Sequence, residues 1–98
     1  MDRQDIEKRL RALKPEITQK YKVKEIGFFG SYARGEASPE SDIDILVEFK
    51  NPPSLLSLIR LENELSEILG IKVDLVTMGA LKNKRIKTSI KKDLISIL

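Results

Sequence analysis

Short runs rich in β-branched residues alternate with segments of helical periodicity along the whole chain, and this alternation limits the fold more than any other feature. The strand-like runs are Val23–Phe29, Ile43–Phe49 and Ile71–Val76. Around them, apolar residues recur every three or four positions, as on one face of a helix. The order predicts an α/β (α+β) sandwich, with a small mixed sheet of about three to four strands flanked by helices. At 98 residues, the chain is expected to form a single domain over residues 1–98.

The ends of the helices are predicted from capping residues and prolines. Pro15 lies within the first helical pattern, so we expect a break or a new first turn there. Ser54 is a plausible N-cap for a helix over Leu55–Leu69, and Gly70 ends it. A last helix is expected before a short extended segment at Ile95–Leu98. The apolar positions of the first helix are Ile6, Leu10, Leu13 and Ile17.

Composition excludes several kinds of chemistry. The chain has no cysteine and no histidine, which removes disulfides, thiolate metal sites, thiol nucleophiles and imidazole bases. Any catalysis must therefore use carboxylates, hydroxyls, Lys, Arg, backbone amides or a hard metal ion. No apolar run is long enough to cross a membrane, so we expect a cytoplasmic protein without a membrane partner.

Positive charge is concentrated near the C-terminus. Residues 80–98 carry six basic side chains against the single acid Asp93. Such a segment fits either an acidic partner or an ordinary solvated helix face. It contains no aromatic residue for base stacking, so direct nucleic-acid binding is not expected.

Gly30-Ser31 follows the first strand-like run and opens a short helical turn that closes at Gly35. Glycine allows a phosphate to approach the backbone, and free amides at a helix start point toward it. By itself a Gly-Ser pair after a strand is usually an ordinary turn.

Asp42 and Asp44 stand at the start of the second strand-like run, two residues apart. Their side chains should therefore leave the same face, about 6–7 Å apart at the backbone. Two such acids raise each other's pKa unless a cation lies between them, and Mg²⁺ or Mn²⁺ would meet that need. The alternative is a pair of solvated acids on an edge strand, but the apolar residues that follow indicate an interior strand.

Asp74 is a third candidate ligand. It points away from the apolar face of the third strand-like run, and it converges on Asp42 and Asp44 if that strand neighbours the second. Three carboxylates around two metal ions suit in-line phosphoryl or nucleotidyl transfer. A solvated acid at a strand end is the simpler alternative.

The string GSYARG at residues 30–35, followed by SDIDILV at residues 41–47, resembles the signature of the DNA polymerase β-like nucleotidyltransferases. It is most similar to the minimal nucleotidyltransferases (MNT), and the likeness covers essentially the whole chain. The resemblance implies that Asp42 and Asp44 bind Mg²⁺ and the nucleoside triphosphate, and that Gly30 and Ser31 hold its phosphates. It also implies that Asp74 is the third catalytic carboxylate.

The resemblance further implies an antitoxin that transfers AMP from ATP to a tyrosine of a helical HEPN ribonuclease toxin. Arg34, one helical turn after Ser31, reaches either a phosphate or a structural acid. An antitoxin that acts by binding alone and a transferase for small-molecule hydroxyls are the alternatives. DNA polymerisation is excluded because fingers and thumb domains cannot fit in the chain. Which triphosphate is used and the oligomeric state stay open.

Overall fold

The computed structural model describes residues 2–78 and 90–97, which form a mixed sheet of four strands, three helices and a helical stretch at residues 90–93. The strands are β1 (Val23–Phe29), β2 (Ile43–Phe49), β3 (Val73–Thr77) and β4 (Ile95–Ser96). The helices are α1 (Arg3–Tyr21), α2 (Ser31–Arg34) and α3 (Leu55–Leu69). This arrangement confirms the predicted fold class.

The order of strands across the sheet is β3-β2-β1-β4, so β2 lies in the interior as predicted. β1 runs antiparallel to β2 and to β4, whereas β2 and β3 are parallel. Parallel strands require a crossover connection, and α3 provides it. The start of β2 and the start of β3 therefore meet at the same end of the sheet.

The two faces of the sheet differ in character. Ile43, Ile45 and Val47 of β2 are fully buried in one face, in a core that includes apolar residues of α1 and α3. The alternate positions of β2, Asp44 and Leu46, point to the opposite face because successive side chains of a strand alternate. We call this second face the open face.

α1 is a single helix that contains Pro15, so the expected break is absent. Proline lacks the N–H that would bond to the carbonyl four residues earlier. Pro15 is exposed, so water can hydrogen-bond to the carbonyl that the proline leaves without a partner. Burial of Ile6, Leu10 and Ile17 holds the parts of α1 before and after Pro15 against the sheet. Packing therefore outweighs the local cost of the proline.

α3 has the ends that the sequence predicts. The Ser54 hydroxyl accepts a hydrogen bond from the Ser57 N–H at 3.1 Å, and Gly70 takes the left-handed conformation with φ of 69°. Ile71 and Lys72 connect this cap to the sheet, so β3 begins at Val73 and not at Ile71, where the prediction began it. Four large apolar side chains of α3 are exposed: Leu55, Leu56, Ile59 and Ile68.

Most of the predicted last helix lies outside the described residues, as does the basic run at residues 82–87. Residues 90–93 are helical and lead into β4. Lys91 and Lys92 are exposed there, and β4 confirms the expected short extended segment. No helix within residues 2–78 and 90–97 has the length and apolar character of a membrane span.

Candidate active site

Gly30 forms the junction between β1 and α2 in a conformation that only glycine adopts readily, with φ of 79° and ψ of −151°. A β-carbon at this position would collide with Asp44 Oδ2. The turn is closed by the Arg34 N–H, which donates to the Gly30 carbonyl at 3.1 Å. Gly30 therefore lets the backbone before Ser31 lie directly against the Asp44 carboxylate, so the predicted phosphate-binding turn and the predicted carboxylates belong to one site.

Asp42 and Asp44 flank the first residue of β2, Ile43, which is fully buried. The Ile43 N–H donates to the Lys72 carbonyl at 2.9 Å, which fixes the start of β2 against the segment that leads into β3. Asp42 is exposed and Asp44 is half-buried. Both carboxylates therefore lie at the mouth of the open face.

Asp74 lies directly beside Asp44 in the parallel pairing of β2 and β3. Paired residues of adjacent strands are about 4.8 Å apart and project to the same face. The structure thus meets the condition on which convergence of Asp74 with Asp42 and Asp44 depended. On the other side of β2, Asp44 pairs with Phe29, the residue before Gly30.

The electrostatics of Asp44 reflect this crowding. Burial, followed by the negative charges of Asp74 and Asp42, raises the pKa of the Asp44 carboxyl, while the Arg34 guanidinium partly opposes the rise. The charges of Asp74, Asp42 and Arg34 therefore all act on the ionisation of Asp44. A cluster of acids in this state gains stability from any cation that neutralises it.

The donor set fits a hard divalent cation. Carboxylate oxygens are the protein ligands that Mg²⁺ prefers, and Mg²⁺ is commonly held by one or two carboxylates together with substrate phosphates. Within residues 2–78 and 90–97, no group of three acidic side chains is arranged to hold a metal ion by itself.

Arg34 is held by two acids outside the carboxylate cluster. Its Nε donates to Glu36 Oε2 at 3.1 Å, and its Nη1 donates to Asp93 Oδ2 at 2.8 Å. The side chain is 44% exposed, so its remaining N–H donors can reach solvent or a ligand. The pairing with Asp93 also fastens residues 90–93 beside α2.

The loop before Asp42 is organised by two serines and a tyrosine. The Ser38 N–H donates to Ser41 Oγ at 3.0 Å, and the Ser41 N–H donates back to the Ser38 carbonyl at 3.0 Å. Tyr32 is buried beneath the loop, with its hydroxyl 3.5 Å from the Ser41 carbonyl. These contacts define where the chain enters β2.

Two features of the site were not predicted from the sequence. Asp93 pairs with Arg34 across 59 residues of chain, and no local pattern signals such a contact. Position 30 requires glycine because a β-carbon there would collide with Asp44, which belongs to the separate strand β2. The positive φ of Gly30 is the part that a Gly-Ser turn after a strand could have indicated.

Comparison with known proteins agrees with this geometry. The profile of the nucleotidyltransferase domain family matches residues 10–97. A Thermococcus cleftensis protein named protein adenylyltransferase MntA is 51% identical over 85 residues, which cover 87% of this chain and 86% of the relative. A Methanocaldococcus jannaschii protein, MJ0126, provisionally named a protein adenylyltransferase, is 54% identical over 93 residues, 95% of each chain.

Solved structures share the fold. One described provisionally as a minimal nucleotidyltransferase superposes with a TM-score of 0.81 at 33% identity and covers 97% of this chain and 95% of its own. A chain of the complex of tri-AMPylated Shewanella oneidensis HEPN toxin with MNT antitoxin has a TM-score of 0.71 at 22% identity. That match covers 98% of this chain and 71% of the other, and at this identity it shows the fold alone.

Proposed function

The chain belongs to the nucleotidyltransferase domain family and is a nucleotidyltransferase, and from that premise we propose that it transfers AMP from ATP to a tyrosine hydroxyl of a HEPN-type toxin. In this proposal the reaction requires Mg²⁺, or Mn²⁺ in its place, and it makes the protein the antitoxin of the pair. Membership of the family means that the reaction transfers a nucleotidyl group. The identities of the nucleotide, the metal ion and the acceptor are our proposal.

The observation that carries the proposal is that the Gly30-Ser31 turn packs against Asp44, which pairs with Asp74 and follows Asp42 by two residues. Burial, followed by the negative charges of Asp74 and Asp42, raises the pKa of Asp44, so the ionised site would be destabilised if it had no cationic ligand. Binding to a partner protein alone would require neither these acids nor a glycine packed against one of them. The geometry therefore favours catalysis over an antitoxin that acts only by binding.

Different residues of the site would bind the triphosphate and accept the proton. The backbone at Gly30 and the Ser31 hydroxyl would hold the triphosphate, and free N–H donors of Arg34 would contact its outer phosphates. The acceptor oxygen attacks the α-phosphorus, the bond from this phosphorus to the bridging oxygen of the β-phosphate breaks, and pyrophosphate leaves. Asp74 would take the proton of the acceptor hydroxyl, since the chain has no histidine that could do so.

Asp42 and Asp44, with Asp74, are the residues that would hold the metal. When bound, Mg²⁺ would lower the pKa of the acceptor hydroxyl and neutralise charge on the triphosphate, and two ions are expected for the reaction. Asp44 would lie between the two other acids, since Asp42 comes two residues earlier, just before β2, and Asp74 is its partner on β3. Its half-buried position limits the water that competes for the cation.

A protein acceptor is supported by the relatives. The T. cleftensis relative is named a protein adenylyltransferase. The S. oneidensis structure of the same fold holds an MNT antitoxin with an AMPylated HEPN toxin.

The experiment that tests the proposal is incubation with each labelled nucleoside triphosphate, Mg²⁺ and the product of the neighbouring gene. Intact mass spectrometry of that product would then be followed by peptide mapping. We expect one or more AMP groups on tyrosine with ATP as donor. Modification of a small-molecule hydroxyl with no partner protein present would favour the small-molecule alternative.

A further inference from the structure

β3 is an outer strand of the sheet, because the strand order is β3-β2-β1-β4 and β2 pairs with it on one side only. The Ile43 N–H donates to the Lys72 carbonyl, so this carbonyl faces β2. In a parallel pair, alternate residues of a strand bond to the same neighbour. The N–H and carbonyl of Asp74 therefore face β2, whereas those of Leu75 and the N–H of Thr77 point away from it.

The start of β3 agrees with this assignment. The Val73 N–H, which also points away from β2, donates to Ser66 Oγ at 3.0 Å. Within residues 2–78 and 90–97, no hydrogen bond reaches the outward groups of Leu75 and Thr77. β3 has no lysine, no proline and no bulge against β2, which are among the usual means of blocking an exposed edge. The edge can therefore accept a further strand.

An apolar stripe of α3 runs beside this edge. Leu55, Ile59 and Ser66 lie on one side of the helix, since they are four and seven residues apart. Ser66 bonds to the start of β3, and Leu58 lines the same groove as Thr77 at the other end of the strand. The side chains of Leu55 and Ile59 are 73% and 48% exposed. A strand added to the edge would cover them.

The register of such a strand follows from the position of Asp74. Asp74 is exposed, and a residue paired with it from the outer side would lie about 4.8 Å away and project to the same face. A hydroxyl side chain there would lie beside the carboxylate that would take its proton. The residues paired with Leu75 and Thr77 would project to the other face, where α3 lies. Apolar side chains at those positions would cover Ile59 and Leu55.

We infer that an extended segment of the acceptor protein adds to the outer edge of β3 and places its acceptor hydroxyl beside Asp74, an inference that rests on the proposed function. The main chain of this segment bonds to Leu75 and Thr77. Specificity comes from apolar side chains one and three positions from the hydroxyl residue, toward the Thr77 end. A second copy of this chain is a poorer occupant, because antiparallel pairing centred on Leu75 would bring another Asp74 to a face that is already acidic.

Amide hydrogen exchange of the full chain with the HEPN-type partner tests the added strand residue by residue. AMP-CPP is the bound nucleotide, because the methylene bridge between its α- and β-phosphates prevents transfer. Partner binding should slow exchange at Leu75 and Thr77 at least about tenfold and leave Asp74 and Val76, which already bond to β2, unchanged. Absent protection, or equal protection at all four amides, would overturn the inference. The same pattern in a dimer of the chain alone would assign the edge to a second copy and also overturn it.

Variants of the apolar stripe test the same surface through activity. Leu55→Glu combined with Ile59→Glu should raise the KM for the partner about tenfold, because charge would be buried, while calorimetric affinity for AMP-CPP stays unchanged. Ile68→Glu is the matched control, since Ile68 is 41% exposed on the opposite side of α3 from Ile59. Thr77→Pro removes an outward N–H that β2 does not use, so it should also raise this KM.

The outcomes separate the inference from the proposed function. A normal KM in both the double variant and Thr77→Pro would overturn the inference and leave the proposed function standing. An equal rise in Ile68→Glu, or an equal loss of AMP-CPP affinity, would overturn it in the same way. Absence of AMP transfer by the unchanged chain would overturn the proposed function itself.

Discussion

Asp44 and Asp74 lie directly opposite each other on two parallel strands, although 30 positions of sequence separate them. This register brings two carboxylates to the same face of the sheet, and Asp42 lies just before β2. Because Gly30 has no side chain, the turn after β1 packs against the same Asp44 carboxylate. The pairing of β2 with both β1 and β3 therefore brings the predicted phosphate-binding turn and the acidic residues together.

Replacement of Asp44 by Asn is expected to lower AMP transfer by at least about 100-fold, because the change removes metal ligands from the centre of the cluster. Asp42→Asn should have a similar effect. The rate of AMP incorporation into the partner measures both. Glu67→Gln, at an exposed acid of α3, is the matched control and should transfer AMP at the normal rate. Normal turnover in Asp44→Asn would contradict the site assignment.

The same variant is expected to keep or gain thermal stability. Burial and neighbouring charges raise the pKa of Asp44 in the folded state, so its ionised form costs free energy of folding at neutral pH. This cost begins as the pH rises above the pKa of an aspartate in the unfolded chain, about 3.9. It is fully present above the folded-state pKa of Asp44. Without divalent metal, the melting temperature of Asp44→Asn should exceed that of the unchanged chain at pH 7. The gap should close as the solution is acidified, and a gap independent of pH would contradict this explanation.

Asp74→Asn should slow transfer while nucleotide binding largely survives. In our account Asp74 serves the acceptor side of the reaction, whereas the triphosphate is held by the Gly30-Ser31 turn and by Asp42 and Asp44. Single-turnover rates and calorimetric affinity for AMP-PNP distinguish the two effects. Loss of nucleotide affinity with an unchanged rate at saturation would show that the role given to Asp74 is wrong.

Tyr21 and Glu64 form a hydrogen bond that ties α1 to α3. The tyrosine hydroxyl donates to Glu64 Oε2 at 2.6 Å, and this bond is the main reason that the pKa of Glu64 is lowered. Tyr21→Phe should therefore reduce the free energy of unfolding at pH 7 by about 1 kcal/mol. A lowered pKa stabilises the fold above the unfolded value, so the difference should disappear as pH falls through the folded-state pKa of Glu64. Denaturant melts at pH 7 and pH 3 test this, and an equal loss at both would contradict it.

The basic segment near the C-terminus is expected to guide the encounter with an acidic partner. Changing Lys84, Arg85 and Lys87 together to Glu should weaken the complex and reduce its sensitivity to salt. The same triple change at exposed basic residues of α1 is the matched control; these are Lys8, Arg9 and Arg11. Association rates at several salt concentrations measure the effect. Full binding by the tail variant would exclude this surface.

The elements of the fold could be predicted where local signals agree. β1 and β2 have the predicted bounds because their apolar runs end at clear signals: β1 stops at Gly30, and β2 lies between the Ser41-Asp42 pair and Asn51-Pro52. α3 has the predicted caps at Ser54 and Gly70 for the same reason. The break at Pro15 was wrong because burial of α1 against the sheet, which is a tertiary effect, outweighs one missing hydrogen bond.

The sequence indicates which face the predicted site residues share, but not all of their contacts. The spacing of Asp42 and Asp44 indicates a shared face, and alternation in β3 indicates where Asp74 points. The pairing of Asp44 with Asp74 depends on strand order, which the spacing along one strand does not determine. The ion pair between Arg34 and Asp93 likewise depends on where residues 90–97 return to the sheet.

The central claim is that the carboxylate cluster transfers AMP to a protein partner. The most direct test is intact mass spectrometry of the HEPN-type partner after incubation with ATP and Mg²⁺, using the unchanged chain and Asp44→Asn in parallel. Our account predicts added AMP with the unchanged chain and none with Asp44→Asn, although both chains bind the partner equally. Equal AMP addition by the two chains, or no addition by either while the toxin is still neutralised, would contradict it.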